Sequence, residues 1–376
     1  MAEQCIAVDA MGGEGGPSVT VHAALDALEA NPSLSVILVG NADQIDSELS
    51  SAGNQIEDLA QRFTVEASES VFLDTQKPAA ILRSGKSSSL FRALELHQQG
   101  RVSAVVSAGN TGALLLASRH LLKSIPGIEL PAIVASLPVG GRSTLLLDVG
   151  ANLQCTPQQL EQFAIMGNEL ARSNCAQPPR VALLNVGAEE HKGTDKIQLA
   201  AALLESNPHI AFAGFVEANQ AFMGLADVIV CDGFAGNVMI KASAGAANAL
   251  IHKLEAVAAN GNPSTQNQFA RVAQARSPQQ FNGASILGLC GNVIKSHGNA
   301  SRPGFAEAVA KAYAEQLDGI PDRIFKALAA SRRAPSRLSP GRCTGASNRR
   351  STGIRSLLWT SSDSFSQVKD RKSLQC

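Results

Sequence analysis

Aromatic residues are scarce in this chain: Phe, Trp and Tyr make up 4% of 376 residues, with one Trp and one Tyr. A core so poor in rings must be built from Ala, Val, Leu and Ile, which suits a parallel sheet covered by helices. The seven cysteines (5, 155, 175, 231, 290, 343 and 376) contain no C-x-x-C. They read as reduced, mostly buried thiols of a cytoplasmic protein. There is no H-E-x-x-H, no paired Cys and no acidic run with ligand spacing, so no metal and no cofactor are expected. Walker A and G-x-S-x-G patterns are also missing. Met1-Ala2-Glu3-Gln4-Cys5 lacks a basic n-region and an apolar h-region, so no secretory signal is visible, and no apolar run is long enough to span a bilayer.

Positive charge is short over most of the length. Of 32 Lys/Arg and 32 Asp/Glu, ten and two respectively lie from Leu328 onward, leaving 22 basic against 30 acidic groups on residues 1–327. A body near −8 argues against nucleic-acid binding, which needs a basic footprint. Residues 329–376 are rich in Ser, Arg and Gly without periodicity and are expected to be a disordered basic tail. It is read as functionless, with contact to anionic lipid or a non-native reading frame as the other readings. Residues 1–328 form the expected catalytic domain.

What is present is a repeated grammar. Six times an apolar run ends in a polar cluster built on Gly and Asn or an acid. These are Val8-Asp9-Ala10-Met11-Gly12-Gly13, Val39-Gly40-Asn41, Val106-Ser107-Ala108-Gly109-Asn110-Thr111-Gly112, Leu147-Asp148-Val149-Gly150-Ala151-Asn152, Leu184-Asn185-Val186-Gly187 and Val230-Cys231-Asp232-Gly233-Phe234-Ala235-Gly236-Asn237. Most precede a helix-like stretch. In parallel α/β folds such strand-to-helix loops gather at one sheet edge, where ligands bind. Glycines admit close backbone approach, and helix N-termini offer N–H groups to anions. The pattern therefore outlines a site for a phosphate- or carboxylate-bearing molecule.

Periodicity predicts strands at Cys5–Asp9, Leu34–Val39, Arg62–Glu66, Val102–Ser107, Arg180–Asn185, Ile210–Val216, Asp227–Cys231 and Ile286–Ile294. A strand pair, Ala132–Ser136 with Thr144–Asp148, turns at Pro138-Val139-Gly140-Gly141. Helices are expected between them, the last over Gly304–Leu328, with 67–87 a loop-rich excursion and 259–282 polar and less ordered. Among the clusters, Asn110 or Thr111 either caps the next helix or helps hold an oxyanion. Asp148 is read equally as a buried structural acid or a catalytic one. Glu189-Glu190-His191-Lys192-Gly193 is either a solvated run or supplies a cation for phosphate. Lys295-Ser296-His297-Gly298 places a cation beside a potential general acid.

Together these segments, in order over residues 4 to about 327, resemble the bacterial phosphate acyltransferase family, acyl-[acyl carrier protein]:phosphate acyltransferases of the PlsX type. The match rests on Ile6–Gly13, Val105–Ala113, Leu147–Asn152, Leu183–Gly187 with Glu190 and Lys192-Gly193, Val230–Val238 and Val293–Gly298. The resemblance implies an isocitrate/isopropylmalate-dehydrogenase-like α/β fold and a homodimer. It also implies transfer of a long-chain acyl group from acyl carrier protein to inorganic phosphate, giving acyl phosphate for phospholipid synthesis through a membrane glycerol-3-phosphate acyltransferase. The location would be cytoplasmic, with peripheral association to the inner face of the cell membrane left open.

Phosphate is itself an anionic nucleophile, so the chemistry needs no Ser or Cys nucleophile. By chemistry and position, Gly12, Gly13, Lys192 and Lys295 are expected to bind phosphate. Asn110, Thr111 and adjacent amides would hold the oxyanion, and His297 would donate the proton. Asp9, Gly109, Gly112, Asp148, Asn152, Asp232 and Asn237 would line the pocket. Arg83, Lys86, Arg92, Arg119 and Lys123 are the expected patch for the acidic carrier protein. Competing readings are a phosphotransacylase acting on coenzyme A thioesters, a decarboxylating dehydrogenase, which lacks its metal-binding acids here, and a non-catalytic scaffold of lipid synthesis.

Overall fold

The computed structural model describes residues 4–53, 55–140, 142–259 and 282–333. Expectations about 260–281 and about the tail beyond 333 lie outside the described residues. The first strand, β1 (Cys5–Asp9), is buried from Ile6 to Asp9, as its unbroken apolar run requires of a strand covered on both faces. Helix α1 (Gly16–Ala30) starts with Pro in its first turn and buries a face of Ala, Val and Leu. There follow β2 (Ser35–Gly40), α2 (Ala42–Ser51), α3 (Gln55–Leu59), β3 (Phe63–Ala67), a 3-10 turn Pro78–Leu82, α4 (Ser89–Gln98), β4 (Ala104–Ser107) and α5 (Thr111–Leu122). The excursion over 67–87 is loop apart from that one turn, as expected.

Strands β5 (Ala132–Val139) and β6 (Arg142–Leu147) pair antiparallel. The second half continues with α6 (Pro157–Ala171), β7 (Arg180–Leu184), α7 (Asp195–Ser206), β8 (Ala211–Val216), β9 (Val228–Val230) and α8 (Gly233–Ala259). The apolar run 286–294 is not one strand. It is a hairpin of β10 (Ala284–Leu287) and β11 (Asn292–Lys295), turned at Gly288, whose φ is +90°. The closing helix likewise divides into α9 (Arg302–Leu317) and α10 (Ile320–Arg333) at Gly319, φ +59°. Glycine tolerates both left-handed turns, and helix continues five residues past the expected boundary at Leu328.

Among the described residues the strands form one 11-stranded sheet, ordered β3-β2-β1-β4-β11-β10-β5-β6-β9-β7-β8. The fold is thus α/β with a mostly parallel sheet covered by helices. Its direction changes midway. Strands β3, β2, β1, β4 and β11 are parallel to one another. Strand β10 opposes both β11 and β5, and β5 opposes β6. Strands β6, β9, β7 and β8 are again mutually parallel, but run opposite to the first group. The expectation of a single carboxyl edge is therefore corrected: the six Gly/Asn clusters fall on two edges. No helix among the described residues is long and apolar enough to cross a membrane.

Candidate active site

At the first edge the loops after β1, β4 and β11 lock together. Asp9, ending β1, is 1% exposed. Its Oδ2 accepts the Ser107 hydroxyl at 2.6 Å, and Ser107 Oγ accepts the Gly109 N–H at 3.0 Å. Asp9 Oδ1 has no hydrogen-bond partner. Burial pushes this carboxyl up, against the pull of the Ser107 and Ser89 hydroxyls, the Met11 backbone and, last, the Lys295 charge. Gly12 is needed for closeness: a Cβ there would lie 2.7 Å from the Gly109 nitrogen and 2.8 Å from Asp9 Oδ2. Gly13 has φ +85° and faces the Gly298 carbonyl, which accepts the Glu14 N–H at 2.7 Å. Three expected clusters are thus brought into one contiguous surface.

Lys295 crosses between two of these loops, its ammonium donating to Ala108 O at 3.1 Å and to Ser296 O. Burial lowers its pKa to about 8. His297 is pulled below the ordinary imidazole value by desolvation and then by the Lys295 charge. Both effects disfavour the charged imidazolium, which runs against the expected role of His297 as proton donor. Asn110 takes the capping role of the two left open. Its Oδ1 accepts the Ala113 N–H at 2.9 Å, and its Nδ2 donates to Asp74 O at 3.1 Å. Its side chain is engaged in that cap, while Thr111, the first residue of α5, is exposed.

The second edge holds the rest of the expected set. Asp148, fully buried, accepts N–H groups of Ile133 (3.0 Å), Gly150 (3.2 Å) and Ala151 (3.1 Å) on Oδ1. Its Oδ2 accepts the Asn152 backbone N–H (2.7 Å) and side-chain amide (3.0 Å). That amide also donates to Pro131 O at 2.7 Å, and Asn237 donates to Val149 O at 3.1 Å. Asp232 caps α8 through Ala235 N at 3.0 Å and pairs with Lys196 at 2.7 Å. Lys192 is partly exposed and paired with Glu189 at 2.7 Å, and that bond raises its pKa. No hydrogen bond or ion pair among the described residues joins this set to the first edge. Lys192, Asp148, Asn152, Asp232 and Asn237 follow β6, β7 and β9, which run opposite to β1, β4 and β11, so the structure places them in other loops than Asp9, Gly12 and Lys295. Buried Cys155, pushed up to about 12 by desolvation, and Cys231, also raised by burial, are held as protonated thiols rather than nucleophiles.

The expected carrier patch also divides. Arg83 and Lys86 are exposed in the 68–88 loop at the first edge. Arg92 is engaged with Glu66 at 2.6 Å and Glu95 at 3.2 Å. Arg119 and Lys123 sit at the far end of α5, where Lys123 Nζ donates to His120 O at 2.6 Å. Three residues that matter were missed from sequence: Ser107, Lys196 and Asn282. Ser107 and Lys196 lie inside or beside quoted clusters, whereas Asn282 has no local signal.

A family profile described as "Fatty acid synthesis protein" matches residues 5–320. A phosphate acyltransferase of Vibrio parahaemolyticus is 44% identical over 332 residues, covering 86% of this chain and 96% of that protein. Its counterpart in Shewanella amazonensis is 43% identical over the same shares. The chain belongs to the phosphate acyltransferase family. It is an enzyme, a transferase of a family tied to fatty acid synthesis. Among solved structures, a phosphotransacetylase from Streptococcus pyogenes superposes with a TM-score of 0.56 at 16% identity, over 84% of this chain and 94% of that one. One from Staphylococcus aureus gives 0.54, also at 16% identity, over 83% and 94%. That likeness is one of fold.

Proposed function

We propose that the protein moves a long-chain acyl group from acyl carrier protein to inorganic phosphate, and that the first edge is where this happens. The observation that carries the reading is the Lys295 ammonium, which donates to Ala108 O in the Gly-rich loop leading into the N-terminus of α5. That is a cation next to a row of N–H donors, suited to an oxyanion. Phosphate would sit on Lys295, Gly12 and Gly13, with the amides of Thr111 and Gly112 facing the thioester oxygen. Attack of a phosphate oxygen on the carbonyl forms a tetrahedral oxyanion. Its collapse breaks the C–S bond and releases carrier thiolate, which takes up a proton.

Orientation of the two reactants is worth ~7–11 kcal/mol at best, and one oxyanion donor ~2.7–4 kcal/mol. Neither contribution requires an acylated enzyme. Arg83 and Lys86 flank this edge and would receive the acidic carrier. A homodimer, and a membrane glycerol-3-phosphate acyltransferase that consumes the acyl phosphate, belong to the same proposal. The test is to supply palmitoyl carrier protein and phosphate and trap acyl phosphate with hydroxylamine, beside a palmitoyl-coenzyme A arm. Product from coenzyme A alone would replace the carrier by the coenzyme. An on-pathway acyl adduct on a side chain would end the direct-attack mechanism.

A further inference from the structure

We propose that Asn282 is a positioning residue of the first-edge site, clamping the Lys295–His297 loop against the first turn of α9 so that Lys295 is held toward the anion. This rests on the reading of that edge as the phosphate site. Asn282 stands just before β10, is 2% exposed, and has both polar atoms of its side chain engaged. Its Oδ1 accepts the His297 N–H at 3.0 Å, while Nδ2 donates to Ser296 Oγ at 2.8 Å and to Gly304 O at 2.7 Å.

The need for a clamp follows from where the ladder stops. Strand β11 pairs with β4 through Lys295, and the Ser296 N–H still reaches Ser107 O at 2.9 Å. At His297 the chain has left the sheet, and Asn282 accepts the N–H that the ladder no longer pairs. Ser296, fully buried, also donates its hydroxyl to His297 O at 3.4 Å. That hydroxyl is locked and is not a nucleophile. The Ser296 carbonyl fixed in this way is one of the two acceptors of the Lys295 ammonium. Asn282 thus acts on Lys295 through Ser296 without facing substrate.

The residue type is demanding. The site needs one acceptor and two donors on a short stem, which an Asn amide supplies. Asp would set a carboxylate against the Gly304 carbonyl, and Ala would remove all three hydrogen bonds at once. The backbone supports the same geometry. Gly283 has φ +104° and a Cβ there would meet Ala308 Cα at 3.2 Å, so the chain passes tightly between β11 and α9. Lys311 Nζ fastens the Gly283 carbonyl at 2.7 Å.

The test measures kcat and KM for phosphate in N282A, N282D, S296A and the double variant N282A/S296A. Alongside, it measures the rise in unfolding temperature on adding inorganic phosphate. N282A is expected to lose about 10- to 100-fold in kcat/KM for phosphate, the scale of a small misplacement, and to lose the phosphate-induced rise. The double variant is expected to be no worse than N282A, because the two residues act along one path. A folded N282A or N282D with wild-type phosphate kinetics would overturn the clamp. If neither folds, S296A decides: a raised phosphate KM supports the clamp and an unchanged one overturns it. A wild type stabilised by phosphate yet inactive would sink the proposed reaction and leave the binding comparison decisive for Asn282. A wild type with neither property would sink both.

Discussion

The two carboxyl edges use the same sequence grammar for different ends. At the second edge the polar groups satisfy one another: Asp148 receives five N–H bonds, Asp232 holds Lys196, and Lys192 holds Glu189. At the first edge the balance is incomplete. Asp9 Oδ1 has no partner, and Lys295 is a largely desolvated cation resting on two carbonyls. A saturated cluster stabilises the fold, whereas groups left short of partners are ready for a ligand. Gly and Asn after a strand therefore indicate a close-packed loop, and the bonding tally separates a structural knot from a site.

Removing Asp148 should have the largest effect. D148A would leave buried donors without an acceptor and should cost ~3–5 kcal/mol of stability, read as a fall in the denaturant midpoint. A mild loss with abolished turnover would make the second edge catalytic and erase the contrast. At the first edge, K295M should lower kcat/KM for phosphate by ~10²–10³ with little change in unfolding. A marginal kinetic effect would take the phosphate away from this edge.

The charge of Lys295 gives a pH signature. Its folded pKa, about 8, lies below the ordinary lysine value, so above about pH 8 the folded site loses its cation while an unfolded lysine would keep it. The phosphate KM should therefore rise above that pH. Stability contributed by this group should increase between about pH 8 and the ordinary lysine range, because the unfolded chain there binds more protons. K295R should shift the kinetic limb upward, and a limb unmoved by K295R would assign it to another group.

Smaller effects sharpen the boundary. N110A removes the cap of α5 and should cost ~1 kcal/mol, seen in thermal unfolding, with phosphate KM affected only through the loosened helix start. K192M should leave the phosphate KM within about twofold, as expected of a partly exposed, ion-paired lysine. A sharp rise in that KM would return Lys192 to the binding set and join the edges functionally.

Much of the architecture was legible because it is local. Cys5–Asp9 and Arg180–Leu184 are short apolar runs bounded by polar clusters, and the expected turn marked the antiparallel pair β5–β6, although Pro138 and Val139 belong to β5 and pair with Ser143 and Arg142. The hairpin β10–β11 was not legible, since residues 286–294 are apolar almost throughout and periodicity cannot show a reversal. Asp9, Gly12, Gly109 and Lys295 were expected together from their loops, and the structure does bring those loops into contact. Asn110 was found in the right place with both roles open, and the helix start it caps decided between them. Asn282 escaped because its partners lie 14 and 22 residues away and no local pattern marks them.

The sequence by itself determined the class of fold, most of its elements, the family and the loops rich enough in glycine to approach an anion. These depend on periodicity and residue type, which are local properties. Only the tertiary structure decided which loops share an edge. The reversal between β5 and β6 turns the second half of the sheet the other way, and strand direction depends on distant pairing rather than on the residues within a strand. The same long-range pairing decides which carboxylates and cations are satisfied and which remain available.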